Sequence, residues 1–265
     1  MKRFASLVLA FSVFAASPTI ASGLTPHRAF YSLALGDRSS TGDVVNVQGM
    51  MTYEWGDSCD GWTSSQKLRI KYFYEDGRSI DLGWSLSSWE SKDGMRYRFF
   101  ARYFDGANLT SEMKGEARLD GVGKGGVAEF SEPKNLRLVL PSGTLFPTAH
   151  SISLLKHFAA GDRQLYATVF DGTDDQAPLD VSAVLAGSKL PAAETAKLSP
   201  LLANGPVYRV GLAFYAAGEE QSRPAHEQQL QVYGNGIVDR LTLDFGSFSV
   251  DAALKKLEPL APPGC

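Results

Sequence analysis

Cysteine is scarce in this sequence, since Cys59 and Cys265 are the only two among 265 residues. Neither belongs to a Cys-x-x-Cys pair, and two thiols are too few ligands for a structural zinc ion. Beyond the N-terminus there is no long apolar run, so no later segment predicts a transmembrane helix. Blocks of like charge are also absent and the net charge is only −3, a pattern that argues against nucleic acid as a partner.

The one apolar run lies at the start of the chain. A charged beginning precedes the apolar stretch 4–16, and small residues up to Ala21 suit the cleavage site of a signal peptidase. We therefore expect residues 1–22 to be a signal peptide and residues 23–265 to form a single domain. The stretch is too short to anchor the protein in a bilayer. The expected product is a soluble monomer in the periplasm of a Gram-negative bacterium, and it is not membrane-spanning.

Export changes the meaning of the two cysteines. An oxidising periplasm favours a disulfide between Cys59 and Cys265, and the alternative is a pair of unpaired thiols. The bond would tie an early hairpin, predicted over Val47–Tyr74, to the last residue of the chain. Loop-closure entropy for so long a loop gives roughly 5 kcal/mol of stabilisation as an upper bound.

Segments of period-2 alternation separated by Asp-Gly pairs dominate the first half of the sequence. Four such pairs, beginning at residues 76, 93, 105 and 120, lie 12 to 17 residues apart. This spacing predicts antiparallel hairpins and an all-β, mainly antiparallel fold. Strand patterns cover 28–35, 44–55, 67–74, 79–91, 95–103, 112–119, 127–130, 136–140, 165–170, 207–215, 228–233, 237–245 and 250–257.

Two other segments differ from this pattern. Thr148 is the predicted N-cap of one helix, with Ile152, Leu155 and Phe158 at helical spacing and Gly161 at its end. Residues 174–205 are rich in Ala, Pro, Asp and Ser, and only the short apolar piece 181–185 within them indicates regular structure.

Several motifs together resemble a known family. They are Cys59-Asp60-Gly61-Trp62, the terminal Cys265, the helix entry Leu145-Phe146-Pro147-Thr148-Ala149-His150, the opening His27-Arg28-Ala29 and the Asp171-Gly172 turn. In this set the sequence resembles the EipB family, the periplasmic cell envelope integrity proteins of α-proteobacteria. The resemblance extends over the whole expected mature chain.

The resemblance implies a particular fold and role. The fold is a β-spiral: an antiparallel sheet that curls into an open barrel or cup, with one or two short helices, closed by a disulfide. The disulfide cysteines of the family carry over onto Cys59 and Cys265. The cup is similar to that of the Lol lipoprotein carriers. Family members support envelope integrity and resistance to envelope stress, without an established catalytic activity.

A cup with few helices has an inner face that can hold a ligand. The candidate groove lining consists of aromatic residues on adjacent predicted strands, namely Trp84, Trp89, Tyr97, Phe99 and Tyr103. The expected ligand is an envelope lipid, a peptide or another envelope protein. The alternative is that these side chains fill the core, which is the usual location of large apolar residues.

No catalytic residue, metal site or cofactor is predicted. His150 and His157 are seven residues apart, too far along a helix to bind one metal ion together. Asp174-Asp175 lack the spacing of a calcium loop and indicate a solvated acidic turn. The alternative function is a periplasmic hydrolase of cell-wall or lipid substrates built around His150 or His226, although no G-x-S-x-G motif occurs.

Overall fold

The computed structural model describes residues 23–37, 43–176, 178–216, 223–261 and 263–265. The predicted signal peptide, residues 1–22, lies outside the described residues. The strands of the first half are β1 His27–Leu35, β2 Val44–Asp57, β3 Gly61–Tyr74, β4 Ser79–Ser91, β5 Arg96–Asp105, β6 Asn108–Leu119, β7 Gly126–Glu132 and β8 Arg137–Leu140. Those of the second half are β9 Gln164–Val169, β10 Leu179–Lys189, β11 Val207–Ala216, β12 His226–Tyr233, β13 Val238–Asp244 and β14 Ser249–Pro259.

These strands form one antiparallel sheet in the part of the chain that the structure describes. Its order is β8-β7-β6-β5-β4-β3-β2-β1-β14-β13-β12-β11-β10-β9. The first and last strands are therefore neighbours, with His27 opposite Pro259 and Leu35 opposite Val250. On either side of this central pair, strands that are consecutive in the chain are neighbours in the sheet, and the four Asp-Gly pairs form the turns of the hairpins from β3 to β7, as predicted.

The two ends of the sheet are brought together by the chain that follows β8. Leu145 forms a parallel bridge with Val169 of β9. The N–H of Leu145 donates to the carbonyl oxygen of Thr168 at 2.8 Å, and the N–H of Phe170 donates to the carbonyl oxygen of Leu145 at 3.0 Å. The sheet is thus curled on itself. Cys59 and Cys265 form a disulfide with their Cα atoms 6.1 Å apart. The predicted fold class, a curled antiparallel sheet with short helices and a disulfide, is confirmed.

The helices are α1 Pro147–Ala160 and α2 Ala193–Ala196, followed by a 3₁₀ turn over Pro200–Leu202. The prediction that Thr148 caps α1 is wrong, because the N-cap is Phe146 and Pro147 occupies the first helical position, where a missing N–H costs nothing. The predicted end is confirmed: Gly161 takes the left-handed conformation with φ 96°.

Helix α1 lies inside the curl of the sheet and divides the core. Leu154, Leu155 and Phe158 pack on side chains of β10, β11 and β12. At the other end Phe146, which is fully buried, packs on β4 to β8. A third cluster joins β1, β2 and β14 to Leu202 of the 3₁₀ turn. Residues of the region 174–205 therefore contribute to the core, namely Val181, Ala183 and Leu185 of β10 and Leu202 of the 3₁₀ turn. Strand β10 itself extends well beyond the predicted piece 181–185.

Candidate functional site

The five predicted groove residues do not share one face of the sheet. Trp84 and Tyr103 are cross-strand partners, and Tyr97 and Phe99 have the same inward parity on β5. Trp89 has the opposite parity on β4 and points outward, between the inward positions 88 and 90. The prediction that all five line one concave surface is therefore wrong for Trp89, because it took aromatic content on adjacent strands as the criterion and overlooked the alternation along β4.

The inward aromatics are covered by other parts of the chain. Tyr97 is 1% exposed and stacks on Phe146 at a centroid distance of 5.1 Å. Phe99 is 3% exposed and meets Phe170 edge-on at 5.6 Å. Both are core residues and cannot be walls of an open groove. The core alternative named for these aromatics therefore describes Tyr97 and Phe99.

The segment 171–173 closes the same part of the inner face. The hydroxyl of Tyr97 donates to the carbonyl oxygen of Asp171 at 3.0 Å, and that of Tyr103 donates to Thr173 at 2.6 Å. Gly172 lies against the ring of Phe99 so closely that a Cβ atom would collide with it. The Asp171-Gly172 turn thus has a packing reason for its glycine, and it fills the cup above β5.

An open groove lies instead on the outer face of β4 to β7. We call it the outer groove and define it by the side chains of Trp89, Arg98, Phe100, Lys114, Glu116 and Glu129. Its volume is about 590 Å³. Both aromatic rings are partly exposed, and the charged residues around them are exposed. The groove is therefore an apolar floor with a charged margin.

Cations lie over both aromatic rings of the outer groove. The guanidinium of Arg98 is 4.3 Å from the centroid of the Trp89 ring, and that of Arg102 is 5.0 Å from Phe100. Glu116 lies directly across from Arg98 on the neighbouring strand. Cation–π contacts at exposed sites contribute on the order of 0.5–1 kcal/mol. Charges of both signs thus surround the rings.

Trp89 is held in place by the hairpin that carries the disulfide. Its indole Nε1–H donates to the hydroxyl of Ser58 at 3.2 Å, next to Cys59. The ring packs over Gly61, where a Cβ atom would overlap the indole. Glycine in the Cys59-Asp60-Gly61-Trp62 motif is therefore required by the position of Trp89, and the disulfide lies beside one end of the outer groove.

Glu90 is a site residue that sequence reasoning missed. It is 2% exposed and its carboxylate accepts from the backbone N–H groups of Thr148 at 2.7 Å and Ala149 at 2.8 Å. Burial raises the pKa of Glu90 to about 7, against the lowering effect of these hydrogen bonds. The sequence does contain a signal for the inward direction of Glu90, because Ser88 and Glu90 continue the alternating series of inward side chains that begins with Trp84 and Leu86 on β4.

In the described part of the chain, His157 and His226 contact a carboxylate and an aromatic ring, and His150 is mostly buried. The Nε2 atom of His150 is buried and has no hydrogen-bond partner in the structure, and burial lowers the pKa of His150 to about 4. His226 stacks on Phe214 at 4.3 Å. His157 Nδ1 is 2.7 Å from Asp162 Oδ2 at the end of α1. Among the described residues, therefore, no hydroxyl is hydrogen-bonded to Nε2 of His150, the first of the two histidines named for the hydrolase alternative.

Two features are absent from the described residues, a cluster of metal ligands and a membrane-spanning helix. No group of three or more His, Cys, Asp or Glu side chains is placed to hold a metal ion. In the described part of the chain no helix combines the length and the apolar character needed to cross a bilayer. Asp174 and Asp175 are exposed, and Asp174 Oδ1 accepts from the backbone N–H of Gln176 at 2.9 Å, so this acidic pair lies in a solvated turn as predicted.

Known proteins similar to this chain were found at both the sequence and the structure level. The profile of the EipB-like family matches residues 18–261. The cell envelope integrity protein EipB of Brucella abortus strain 2308 is 31% identical over 248 residues, which cover 92% of this chain and 87% of that protein. A crystal structure of a β-barrel-like protein of unknown function from Brucella abortus matches with a TM-score of 0.82 and 27% identity, covering 90% of this chain and 99% of that one. The likeness thus extends over the whole curled sheet.

Proposed function

The chain belongs to the EipB-like family, and on that premise we propose that it is an exported, non-catalytic protein that maintains the integrity of the cell envelope. The observation that carries the proposal is the 31% identity, over 92% of the chain, to the cell envelope integrity protein of Brucella abortus. Removal of residues 1–22 would leave one periplasmic domain comprising all fourteen strands. The protein acts by binding another component of the envelope.

The size of the available cavities points to the outer groove as the binding surface. Its volume of about 590 Å³ falls within the range of roughly 300–1,000 Å³ that is typical of ligand sites. The pocket inside the sheet has about 80 Å³, which is too small for a lipid chain or a peptide segment. The aromatic floor of Trp89 and Phe100 supplies apolar contact area at small cost in side-chain entropy.

The chemistry of the outer groove favours a segment of another envelope protein as its occupant. Arg98 and Lys114 face Glu116 and Glu129 across a partly apolar floor, so both signs of charge are available to side chains of a polypeptide. A lipid tail is apolar and has no group that could pair with these charged side chains. Strands β4 to β7 each have a paired neighbour on both sides, so recognition proceeds through side chains and not through addition of a strand.

Photo-crosslinking in living cells tests this assignment. A photoreactive phenylalanine analogue is placed at Phe100 in the outer groove, and at Tyr166 as the matched control, an aromatic residue that is 71% exposed on β9. We expect a discrete protein adduct from position 100 and none from position 166. Adducts of equal yield from both positions would contradict the groove assignment, and an adduct that extracts into organic solvent would replace the peptide by a lipid.

Charge reversal provides a genetic counterpart. Arg98→Glu removes the cation over Trp89 from an exposed position, so folding should be unaffected while the partner is lost. We expect cells carrying this variant to be as sensitive to envelope stress as cells lacking the protein, with an unchanged melting temperature. Lys67→Glu, another exposed charge on the outer face, is the matched control and should restore resistance fully. Full resistance with Arg98→Glu would refute the role of the groove.

A further inference from the structure

The inner face of the sheet carries a row of polar side chains. His27, Trp55, Ser64 and Ser88 are successive cross-strand partners on β1, β2, β3 and β4. Ser64 and Ser88 satisfy each other through a 2.8 Å hydrogen bond between their hydroxyls. His27 and Trp55 instead face a pocket of about 80 Å³ between the sheet and the first turn of α1, which we call the inner pocket.

His27 presents a hydrogen-bond acceptor to the inner pocket. The side chain is 3% exposed, and its Nδ1 lies 2.7 Å from the carbonyl oxygen of Thr25. Because a carbonyl oxygen can only accept, the proton is on Nδ1. Burial lowers the pKa of His27, so the ring is neutral and its Nε2 carries a free lone pair. Among the residues that the structure describes, this Nε2 has no hydrogen-bond partner.

Trp55 presents the complementary donor. Its side chain is also 3% exposed, and its indole Nε1–H has no acceptor within the described ranges of the chain. Buried polar groups are almost always paired, so two unpaired ones facing a single cavity indicate a site for a molecule that pairs with both. Side chains directly opposite each other on antiparallel strands stand roughly 5 Å apart at Cβ, a separation that one small group can bridge.

The walls of the inner pocket determine the charge of what it can take. Leu24, Tyr53 and Pro147 supply apolar surface, and none of the described residues that line the cavity is a Lys, Arg, Asp or Glu. An ion would lose its hydration there without a counter-charge. One water needs about 10–15 Å³ of such volume, so the pocket has room for several waters or for one small organic group. Ser151, an exposed residue of α1, marks its opening to solvent.

We propose that the inner pocket binds an uncharged carboxamide group, whose carbonyl oxygen accepts from Trp55 Nε1–H and whose N–H donates to His27 Nε2. Both bonds are satisfied at once only by a neutral group that offers an acceptor and a donor side by side. The site lies on the opposite face of the sheet from the outer groove. The proposal is therefore independent of the function assigned to that groove.

Two-dimensional NMR of the ¹⁵N-labelled mature protein tests the proposal. The indole signal of Trp55 is identified by its loss in Trp55→Phe, and the signals of Trp84 and Trp89 serve as internal controls. Titration with acetamide should shift the Trp55 signal saturably and leave the two controls in place. Acetone has nearly the same shape but no N–H, so it should bind about tenfold more weakly. Acetate should not bind.

Two outcomes would overturn the proposal. The first is an equal shift of the Trp55 signal by acetamide and acetone, which would mean that His27 Nε2 contributes nothing to binding. The second is no shift with any probe while the indole proton exchanges magnetisation with solvent, which would assign the pocket to water alone. His27→Phe, which removes the acceptor, should abolish the preference of wild type for acetamide over acetone. If that variant does not fold, the comparison of the two probes on wild type decides by itself.

Discussion

Glu90 shows how one buried side chain connects distant parts of the molecule. It lies on β4, yet it accepts from the first N–H groups of a helix that begins 57 residues later, at Pro147. The N-cap residue of that helix, Phe146, has no side-chain acceptor. A helix N-terminus leaves four N–H groups without intrahelical partners, and two of them are satisfied by this carboxylate. Glu90 therefore fixes where α1 sits inside the sheet.

The raised pKa of Glu90 makes stability depend on pH. Its value is about 7 in the fold and 4.5 ordinarily, so the folded state binds the proton more tightly. The resulting stabilisation is full below pH 4.5 and is lost as pH rises towards 7, by roughly 3 kcal/mol over the whole interval. Glu90→Gln should remove this fall. Urea denaturation of both proteins at several pH values between 4.5 and 7.5 measures it, and identical pH profiles would contradict it.

His150 should act in the opposite direction over nearly the same range. Its pKa is lowered from 6.5 to about 4, so the folded state binds the proton less tightly than the unfolded chain. Stability from this group is present above pH 6.5 and is lost as pH falls to 4, again by roughly 3 kcal/mol. His150→Phe should therefore become more stable relative to wild type as pH falls. The same denaturation series checks the sign, and a difference that does not vary with pH would refute it.

Helix α1 depends on an aromatic contact at its first turn. Phe146 is fully buried and stacks on Tyr97, so Phe146→Ala leaves a cavity where the helix meets β5. We expect a loss of about 3–5 kcal/mol in the free energy of unfolding. Val139→Ala, at a position that is 72% exposed on β8, is the control and should change stability by less than about 0.5 kcal/mol. Equal losses in the free energy of unfolding of the two variants, measured by chemical denaturation, would show that the stack of Phe146 on Tyr97 does not contribute to stability.

The sequence predicts the hairpins of the sheet well, but it predicts the start of helix α1 and the bounds of irregular strands less well. The Asp-Gly pairs at 76 and 93 are turns with glycine at positive φ, as period-2 alternation on both sides predicts. The sequence predicts β10 only over 181–185. Gly187 and Ser188, which belong to the rest of the strand, have weak strand propensity and are held by pairing with β11. The cap of α1 comes from Glu90, which no local pattern can reveal.

The disulfide acts on the molecule as a whole, since it joins residues 206 positions apart. Cys59→Ser or Cys265→Ser restores the freedom of this loop in the unfolded chain, worth at most roughly 5 kcal/mol. Each variant should melt at a lower temperature than the oxidised wild type and at the same temperature as the reduced one. Calorimetry with and without reductant measures this. A reductant effect of the same size in Cys59→Ser would show that the bond is not its cause.

The arrangement of the whole molecule exceeded what the sequence alone could specify. Consecutive hairpins were predictable, but the pairing of β1 with β14 joins segments more than 200 residues apart and rests on no local signal. The same holds for the inner pocket, where His27 and Trp55 belong to neighbouring strands but α1 supplies the opposite wall. The sequence pattern predicts strands at 28–35 and 44–55, and only the tertiary fold shows what His27 and Trp55 face.

The central position of β14 has a consequence for how the protein assembles. Strands β1 to β8 and strands β9 to β13 each pair with their neighbours in the chain, so each of these two halves of the sheet can begin to form before the chain is complete. The two halves can be joined only by β14, Ser249–Pro259, which is the last strand in the chain. Until β14 is paired, each half of the sheet exposes an unpaired strand edge. The protein is therefore most prone to aggregation, and most in need of a chaperone, during this interval.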